Sequence, residues 1–282
     1  MSIEQKAVLR RRVLRALVYL FCILLAITTF YPLYTMFISS THDSYNIVTK
    51  LNLLPGEYFV ENYQRLTKNI NIWQGFFNSF FVAVISVALK LYFTSMAAYA
   101  FAKFNFKMKN FLFGVVMVAM MLPGQLGIIG YYRELTSMHL LDSYLPLFLT
   151  SIADCFVIFF FKQYLDGGLP NEIIEAAYVD GCREIMIFHR ITLPIMSPAL
   201  VAQGVLSFIG AWNSYMMPLI LLRSQNKMTL PLLVATVRDS MHAEYGAQYV
   251  GMVISVVPLI VVYCFASKVI MEKISIGSAV KG

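Results

Sequence analysis

The chain has 282 residues, of which 59% are hydrophobic and only 13% charged, with a mean hydropathy of +0.69. A soluble domain of this size carries roughly twice that charge fraction, so the composition argues against an ordinary water-soluble enzyme. The net charge of +7 does not point to nucleic acid, because the cations sit at the edges of apolar runs and not in one basic patch.

The apolar residues fall into six runs, near Ala16–Phe37, Phe76–Phe101, Phe111–Gly130, Leu145–Phe161, Leu200–Leu222 and Tyr249–Ile270. A bilayer core of about 30 Å needs roughly 20 apolar residues as helix. Five runs meet this, and the fourth does so by extending through Lys162-Gln163-Tyr164-Leu165. None alternates as a barrel strand does, so the runs predict an all-α, polytopic membrane protein with six transmembrane helices.

Arg10, Arg11, Arg12 and Arg15 before the first run resemble the basic end of a signal peptide. The run is too long for a signal core, and no Ala-x-Ala site closes it, so it reads as a retained helix. If the N-terminus is inside, Lys and Arg on the inner side outnumber those outside by two to one. This satisfies the positive-inside rule. Residues 1–15 and 271–282 are then cytoplasmic segments flanking a transmembrane body over 16–270. The 39–75 loop is external and the 166–194 loop cytoplasmic.

Two charges fall inside apolar runs, Lys90 in the second and Asp154 in the fourth. Intramembrane charges are costly and mark function by default. Either the two face the bundle interior and pair, or each snorkels or lies in a water-filled cavity. Pro123 with Gly124, Gly127 and Gly130 closes the third run, as a packing face or a bent segment. Met117, Met120 and Met121 read as packing filler. The fifth run carries Gln203, Ser207, Trp212, Asn213, Ser214 and Tyr215, whose amides, hydroxyls and aromatic faces suit a sugar. Such residues also glue membrane helices together.

Cys22, Cys155, Cys182 and Cys264 form no C-x-x-C pair, and His42, His139, His189 and His242 lie in different loops. Neither disulfides nor a metal site is expected. No phosphate-binding Gly-rich loop and no nucleophile elbow occurs, so the chain has no visible means of hydrolysing ATP or performing other chemistry.

The polar 166–194 segment is the most informative. Gly167-Gly168 ends the fourth helix. Pro170 suits the first turn of a new helix, and Glu172 and Glu175 sit near its positive end. Ala176 and Ala177 leave a surface where another backbone can approach. Gly181 is placed for a left-handed turn that ends the helix. A second piece, Arg183–Arg190, follows, and Pro194 and Pro198 punctuate the entry to helix five. Physically this is a knob at the membrane face, serving either as a plain connector or as a docking element.

Glu175-Ala176-Ala177, Gly181 and Ile191-x-Leu193-Pro194 resemble, in spacing and type, the EAA signature of permease subunits of ATP-binding-cassette importers. Asp180 and Phe188 also fit. Cys182 departs from the usual alanine. Leu54-Pro55, Glu61-Asn62-Tyr63, Asn78-Ser79, Ala98-Tyr99-Ala100-Phe101, Trp212-Asn213, Thr229-Leu230-Pro231 and the tail Gly277–Gly282 are similar to the maltose-type carbohydrate branch. In that branch Lys90 is unusual. The resemblance covers roughly residues 54–282.

The resemblance implies that a cytoplasmic coupling helix between helices 4 and 5 sits in a cleft of an ATPase subunit. Glu175, Ala176, Ala177, Asp180, Gly181, Leu193 and Pro194 would make the coupling contacts. The implied partners are a second, paralogous permease, two copies of the ATPase, an extracytoplasmic sugar-binding protein, a carbohydrate substrate and membrane lipid, in a bacterial cell membrane. ATP and Mg would belong to the ATPases, with no cofactor on this chain. Gln203, Trp212, Asn213 and Tyr215 are the candidate substrate path. The competing classes are an ion-coupled secondary transporter, which usually shows internal repeats and midplane ion ligands, and a membrane scaffold, which would not need the polar pattern in helix five.

Overall fold

The computed structural model describes the backbone of residues 3–240 and 244–279, and the side chains of 11–68, 70–237 and 244–265. Every regular element among them is helical. The chain divides into two compact units, Met1–Ile70 with Val234–Ile254, and Asn71–Leu233 with Ser255–Gly282. Arg238, His242, Lys268, Lys273 and the end of the tail, Val280-Lys281-Gly282, lie outside the described side chains.

The first unit begins with α1 (Ile3–Ser40). Leu17, Phe21 and Phe30 are more than half exposed along it. A helix that is apolar all round suits a membrane span. Thr28 and Thr29 donate their hydroxyls to Leu24 O and Leu25 O, both at 2.8 Å, and so bring no unpaired polar group into the apolar stretch. Two shorter helices follow, α2 (Ser44–Thr49) and α3 (Phe59–Asn69). Asn62, buried on α3, donates to Ser40 O at 3.0 Å and His42 O at 2.8 Å, tying down the end of α1. Arg65 one turn on bridges Glu61 at 2.6 Å and Glu244 at 3.1 Å. Those carboxylates hold its guanidinium pKa above the ordinary arginine value.

The second unit is built around α4 (Ile72–Lys103), an uninterrupted helix of 32 residues. Then come α5 (Lys109–Met121), a 3₁₀ turn at Gly124–Gly127, α6 (Ile128–Ser137), α7 (Leu145–Ile152) and α8 (Cys155–Gly168). The cytoplasmic-loop candidate forms α9 (Asn171–Val179), α10 (Glu184–Ile187), a π turn at Phe188–Thr192 and α11 (Leu193–Ile195). The unit continues with α12 (Ser197–Trp212) and α13 (Met216–Leu221). Two last helices, α14 (Leu230–Ser240) and α15 (Tyr245–Ala279), run through both units. Helix α4 packs on α7, α8 and α12 and so forms the axis of the second unit.

Among the described residues, four helices or helix pairs are long and apolar enough to cross a membrane, over 11–40, 72–103, 145–168 and 245–265. Two bent pairs would bring the number to six. Of the two readings of the third run's end, a packing face or a bent segment, the bend is the one found. In the third run α5 and the segment after it meet at 92°. Pro123 has no N–H and forces Leu122 into the extended region, at ψ 133°, which ends α5. The glycines beyond are not a packing face within this chain, because a Cβ on Gly124, Gly127 or Gly130 would meet nothing within 4 Å.

The fourth run is interrupted at Ala153, and Asp154 caps the helix that resumes, accepting from Val157 N at 3.2 Å. The fifth run stops at Trp212 and resumes at Met216. Pro218 cannot donate to the carbonyl four residues back, so the helix does not pass through 213–215.

Peripheral loops of the second unit are stitched by Asp142, itself in the left-handed region at φ 57°. Its carboxylate accepts from the Ser224 hydroxyl at 2.6 Å and from the backbone N–H groups of Ser224 and Arg223, both at 2.9 Å. Lys227 adds an ion pair at 3.1 Å. These donors hold the Asp142 carboxyl well below the usual carboxylate range. Asn78 and Ser79 anchor the same region to α4. Asn78 donates to Asn226 O and Met228 O, and Ser79 Oγ accepts from Leu230 N at 2.7 Å.

Candidate functional site

The polar 166–194 segment folds as a knob on one end of the second unit. Helix α8 ends at Gly168, and Lys103, the last residue of α4, donates its ammonium to the Leu169 carbonyl left over there. The same ammonium reaches Asn171 Oδ1 at 3.0 Å, at the first turn of α9. Pro170 precedes α9 in an extended conformation.

Helix α9 closes in a Schellman arrangement. Cys182 N bonds Ala177 O and Gly181 N bonds Tyr178 O, both at 2.9 Å, with Gly181 at φ 74°. Open space surrounds Gly181, so backbone conformation alone calls for glycine there.

The faces of α9 differ from the sequence expectation at one residue. Ile174 and Ala177 are buried in the chain's own core with Phe161, Leu165 and Phe188. Ala177 therefore packs inward and offers no surface. Glu175, Ala176, Tyr178 and Asp180 are exposed, and Val179 is 89% exposed. Ile173 and Tyr178 are exposed too, at other positions around the same helix.

Behind the knob, Tyr99 of α4 donates to Glu184 Oε2 at 3.0 Å. Tyr92, one face away, contacts His189 Nε2 at 3.3 Å, and His189 Nδ1 lies 2.7 Å from Ile185 O. The tautomer that satisfies both carries its proton on Nδ1. Leu193 N bonds Phe188 O five residues back, which defines the π turn. Pro194 next to it has no N–H to give, so the wider turn costs no hydrogen bond. From there α12 leaves at 76°. Leu193 packs on the core, while Pro194 is exposed.

A second feature lies deeper in the same unit. A cavity of about 440 Å³ opens between α4, α7 and α12. Lys90 and Asp154 meet on its wall, Nζ to Oδ2 2.8 Å, with side chains 20% and 30% exposed. Gln203, Ser207 and Ser214 line it from the fifth run. Ser86, Thr150, Ser151 and Thr229 complete its polar lining and carried no distinguishing signal in sequence. They come from three separate segments and converge only in three dimensions.

The other residues expected on the substrate path stand elsewhere. Trp212 is 1% exposed, and its Nε1 donates to Ser255 O at 2.9 Å. Its ring stacks on Phe208 and meets Phe76 edge-on, at centroid distances of 5.8 and 5.4 Å. That indole is fully engaged in packing within the chain. Asn213 and Tyr215 sit at the break after α12, exposed and away from the cavity. Among the described residues, no three His, Cys, Asp or Glu side chains cluster as a metal site.

Residues 90–275 match the family described as binding-protein-dependent transport system inner membrane component. The arabinooligosaccharide transport system permease protein AraQ of Bacillus subtilis is 31% identical over 274 residues, 96% of this chain and 97% of that one. Its namesake in Halalkalibacterium halodurans is 34% identical over 74% of this chain and 75% of its own length. The lactose transport system permease protein LacG of Rhizobium radiobacter is 29% identical, covering 90% and 93%. Among solved structures, a chain of a bacterial ATP-binding-cassette transporter involved in import of the acidic polysaccharide alginate superposes with a TM-score of 0.79. The superposition covers 91% of this chain and 96% of the other at 21% identity, a likeness of fold. Signature, fold and relatives agree: this chain is a multi-pass permease subunit and belongs to the inner membrane components of binding-protein-dependent transport systems.

Proposed function

We propose that the chain is one half of the transmembrane pathway of an ATP-driven carbohydrate importer, working beside a second, paralogous permease. The observation that carries this reading is the knob. It combines exposed apolar side chains on α9, a charged residue at Glu175 and a fixed C-terminal turn with polar ties into α4. A plain connector has no use for an 89% exposed valine held on a rigid helix. Two copies of a cytoplasmic ATPase would bind ATP and Mg and grip α9 on each permease. An extracytoplasmic binding protein would deliver the sugar on the opposite side, and both termini would be cytoplasmic.

The carbohydrate class is supported by the arabinooligosaccharide and lactose permeases among the relatives. It is supported also by the hydroxyl- and amide-lined cavity. Ion-coupled transport is not favoured, because the family that residues 90–275 match is one of binding-protein-dependent transport systems.

The test is purification from native membranes in mild detergent, with mass spectrometry of the co-purifying chains. A second multi-pass permease and an ATPase are expected with the wild type. The ATPase is expected to be lost with Glu175→Lys or Val179→Asp while the second permease stays. Retention of the ATPase by both variants would refute α9 as the docking element.

A further inference from the structure

Resting on the ATP-driven importer reading, we infer that Tyr99 is the positioning residue through which movement of the knob passes into the membrane body. The stroke then enters sideways into α4 rather than along the chain into α12.

The knob is held to α4 at three points. Tyr92, Tyr99 and Lys103 stand seven and four residues apart, on one face of that helix. Lys103 holds the start of α9 through Leu169 O and Asn171. Tyr92 meets His189 of the π turn. Tyr99 lies between them, 5% exposed, and makes the most contacts of the three kinds. Its hydroxyl donates to Glu184 Oε2 at 3.0 Å, and its ring centroid lies 5.6 Å from that of Phe188. Thr192, wholly buried, sets its hydroxyl beside the same phenol. Glu184, Phe188 and Thr192 follow one another at intervals of four. One side chain of α4 therefore registers α10 and both ends of the π turn.

The covalent route is poorly shaped to carry a push. Helix α11 is three residues long, and the chain turns by 76° where α12 begins. A push along one arm of such a bend swings the corner and is not delivered along the other arm. Helix α4 is unbroken over 32 residues, so whatever shifts Tyr99 and Lys103 shifts all of it. The Tyr99 hydroxyl itself does little to hold the fold. Phenylalanine would keep the ring against Phe188 and Phe104, and Glu184, only part-buried, would regain water. What the hydroxyl adds is a directional tie across the joint.

The experiment uses the whole transporter, reconstituted in proteoliposomes with its binding protein, and follows ATP hydrolysis as MgATP is raised. In an importer of this kind the binding protein's signal must cross the membrane body to reach the ATPases, and so crosses the same joint. Tyr99→Phe and Glu184→Leu are each expected to lower the stimulated kcat about tenfold, the loss of one hydrogen bond to a charged group. KM for MgATP, the amount of ATPase that co-purifies and the melting temperature of the solubilised chain should stay near wild type. Glu184→Gln keeps an oxygen that accepts from Tyr99 and should retain most of the rate. Tyr99→Phe combined with Glu184→Leu should be no slower than either alone, because both remove the same bond. A wild-type kcat in Tyr99→Phe would overturn the inference. Glu184→Gln as slow as Glu184→Leu would overturn it too, by showing that the charge matters and the tie does not. Loss of the ATPase from Tyr99→Phe would make the tie part of docking, with the same consequence. Each of these results leaves the importer reading intact. A wild-type assembly that contains no ATPase would overturn that reading and this inference with it.

Discussion

The Lys90–Asp154 pair makes a graded prediction, because its two members carry unequal duties. Lys90 contributes only the ion pair, whereas Asp154 contributes the pair and the cap of α8. Exposed pairs are worth about 0.2–1 kcal/mol, and breaking a fully buried one costs about 3–5 kcal/mol. At 20% and 30% exposure this pair lies between, so Lys90→Met should cost about 2 kcal/mol.

Asp154→Asn loses the same pairing and keeps a good capping side chain, so its cost is again about 2 kcal/mol. Asp154→Ala loses the cap as well, adding about 1 kcal/mol. The double change Lys90→Met with Asp154→Asn leaves no stranded charge and should fall within about 1 kcal/mol of wild type. At roughly 2 °C per kcal/mol for a chain of this size, the order is double, then Lys90→Met level with Asp154→Asn, then Asp154→Ala. The assay is thermal unfolding of the detergent-solubilised chain, followed by size-exclusion recovery. A double mutant no better than either single would refute the coupling. Equal melting of Asp154→Ala and Asp154→Asn would refute the cap.

Asp142→Ala should loosen the loop around 221–228 and lower the melting temperature by several degrees, since four donors lose their acceptor. The pH dependence has a definite sign. The folded carboxyl titrates below the unfolded one, so its contribution is whole above the usual carboxylate range. It fades as pH falls below that range. The wild-type advantage over Asp142→Ala, followed from pH 7 to 3, should shrink only at the acid end. Gly181→Ala should cost about 1 kcal/mol through the left-handed backbone alone, and should lower ATP-coupled uptake more than it lowers expression. Gly246→Ala would put a Cβ 2.5 Å from the Asn62 side chain, breaking its grip on Ser40 and His42, and should reduce folded yield markedly.

Much of this was legible in the chain. Long apolar runs locate membrane helices because lipid imposes length and composition on them directly. Gly181 was readable because few other residues tolerate its backbone. The interruptions were harder. Asp154 looks like a charge within a helix until its carboxylate is seen capping the next segment, a role set by tertiary structure. Pro123 and Pro218 do announce breaks, yet hydropathy passes over them.

The faces of Ala177 and Trp212, both buried within the chain, were not readable from the sequence. Adjacent alanines on a helix point in different directions, and only the packing partners say which is inside. A tryptophan within a polar cluster suggests a ligand, but its N–H had a carbonyl waiting 43 positions away. Ser86, Thr150 and Ser151 were invisible for the complementary reason, since a few hydroxyls spread over two helices have no pattern to read.

The ties from α4 to the two ends of α8 constrain how the protein can move. Lys90 holds the residue before α8, and Lys103 holds the residue after it. Thirteen residues of one helix are thus matched to fifteen of its parallel neighbour, over about 20 Å. Sliding one past the other by a single turn, about 5.4 Å, would sever both ties at once. Helices α4 and α8 therefore travel as one rigid strut, and bending is left to places outside it where the chain already turns, as at 122–123, 195–197 and 213–215. One residue inserted between Lys90 and Lys103 would turn one anchor about 100° against the other, and the strut would lose its register.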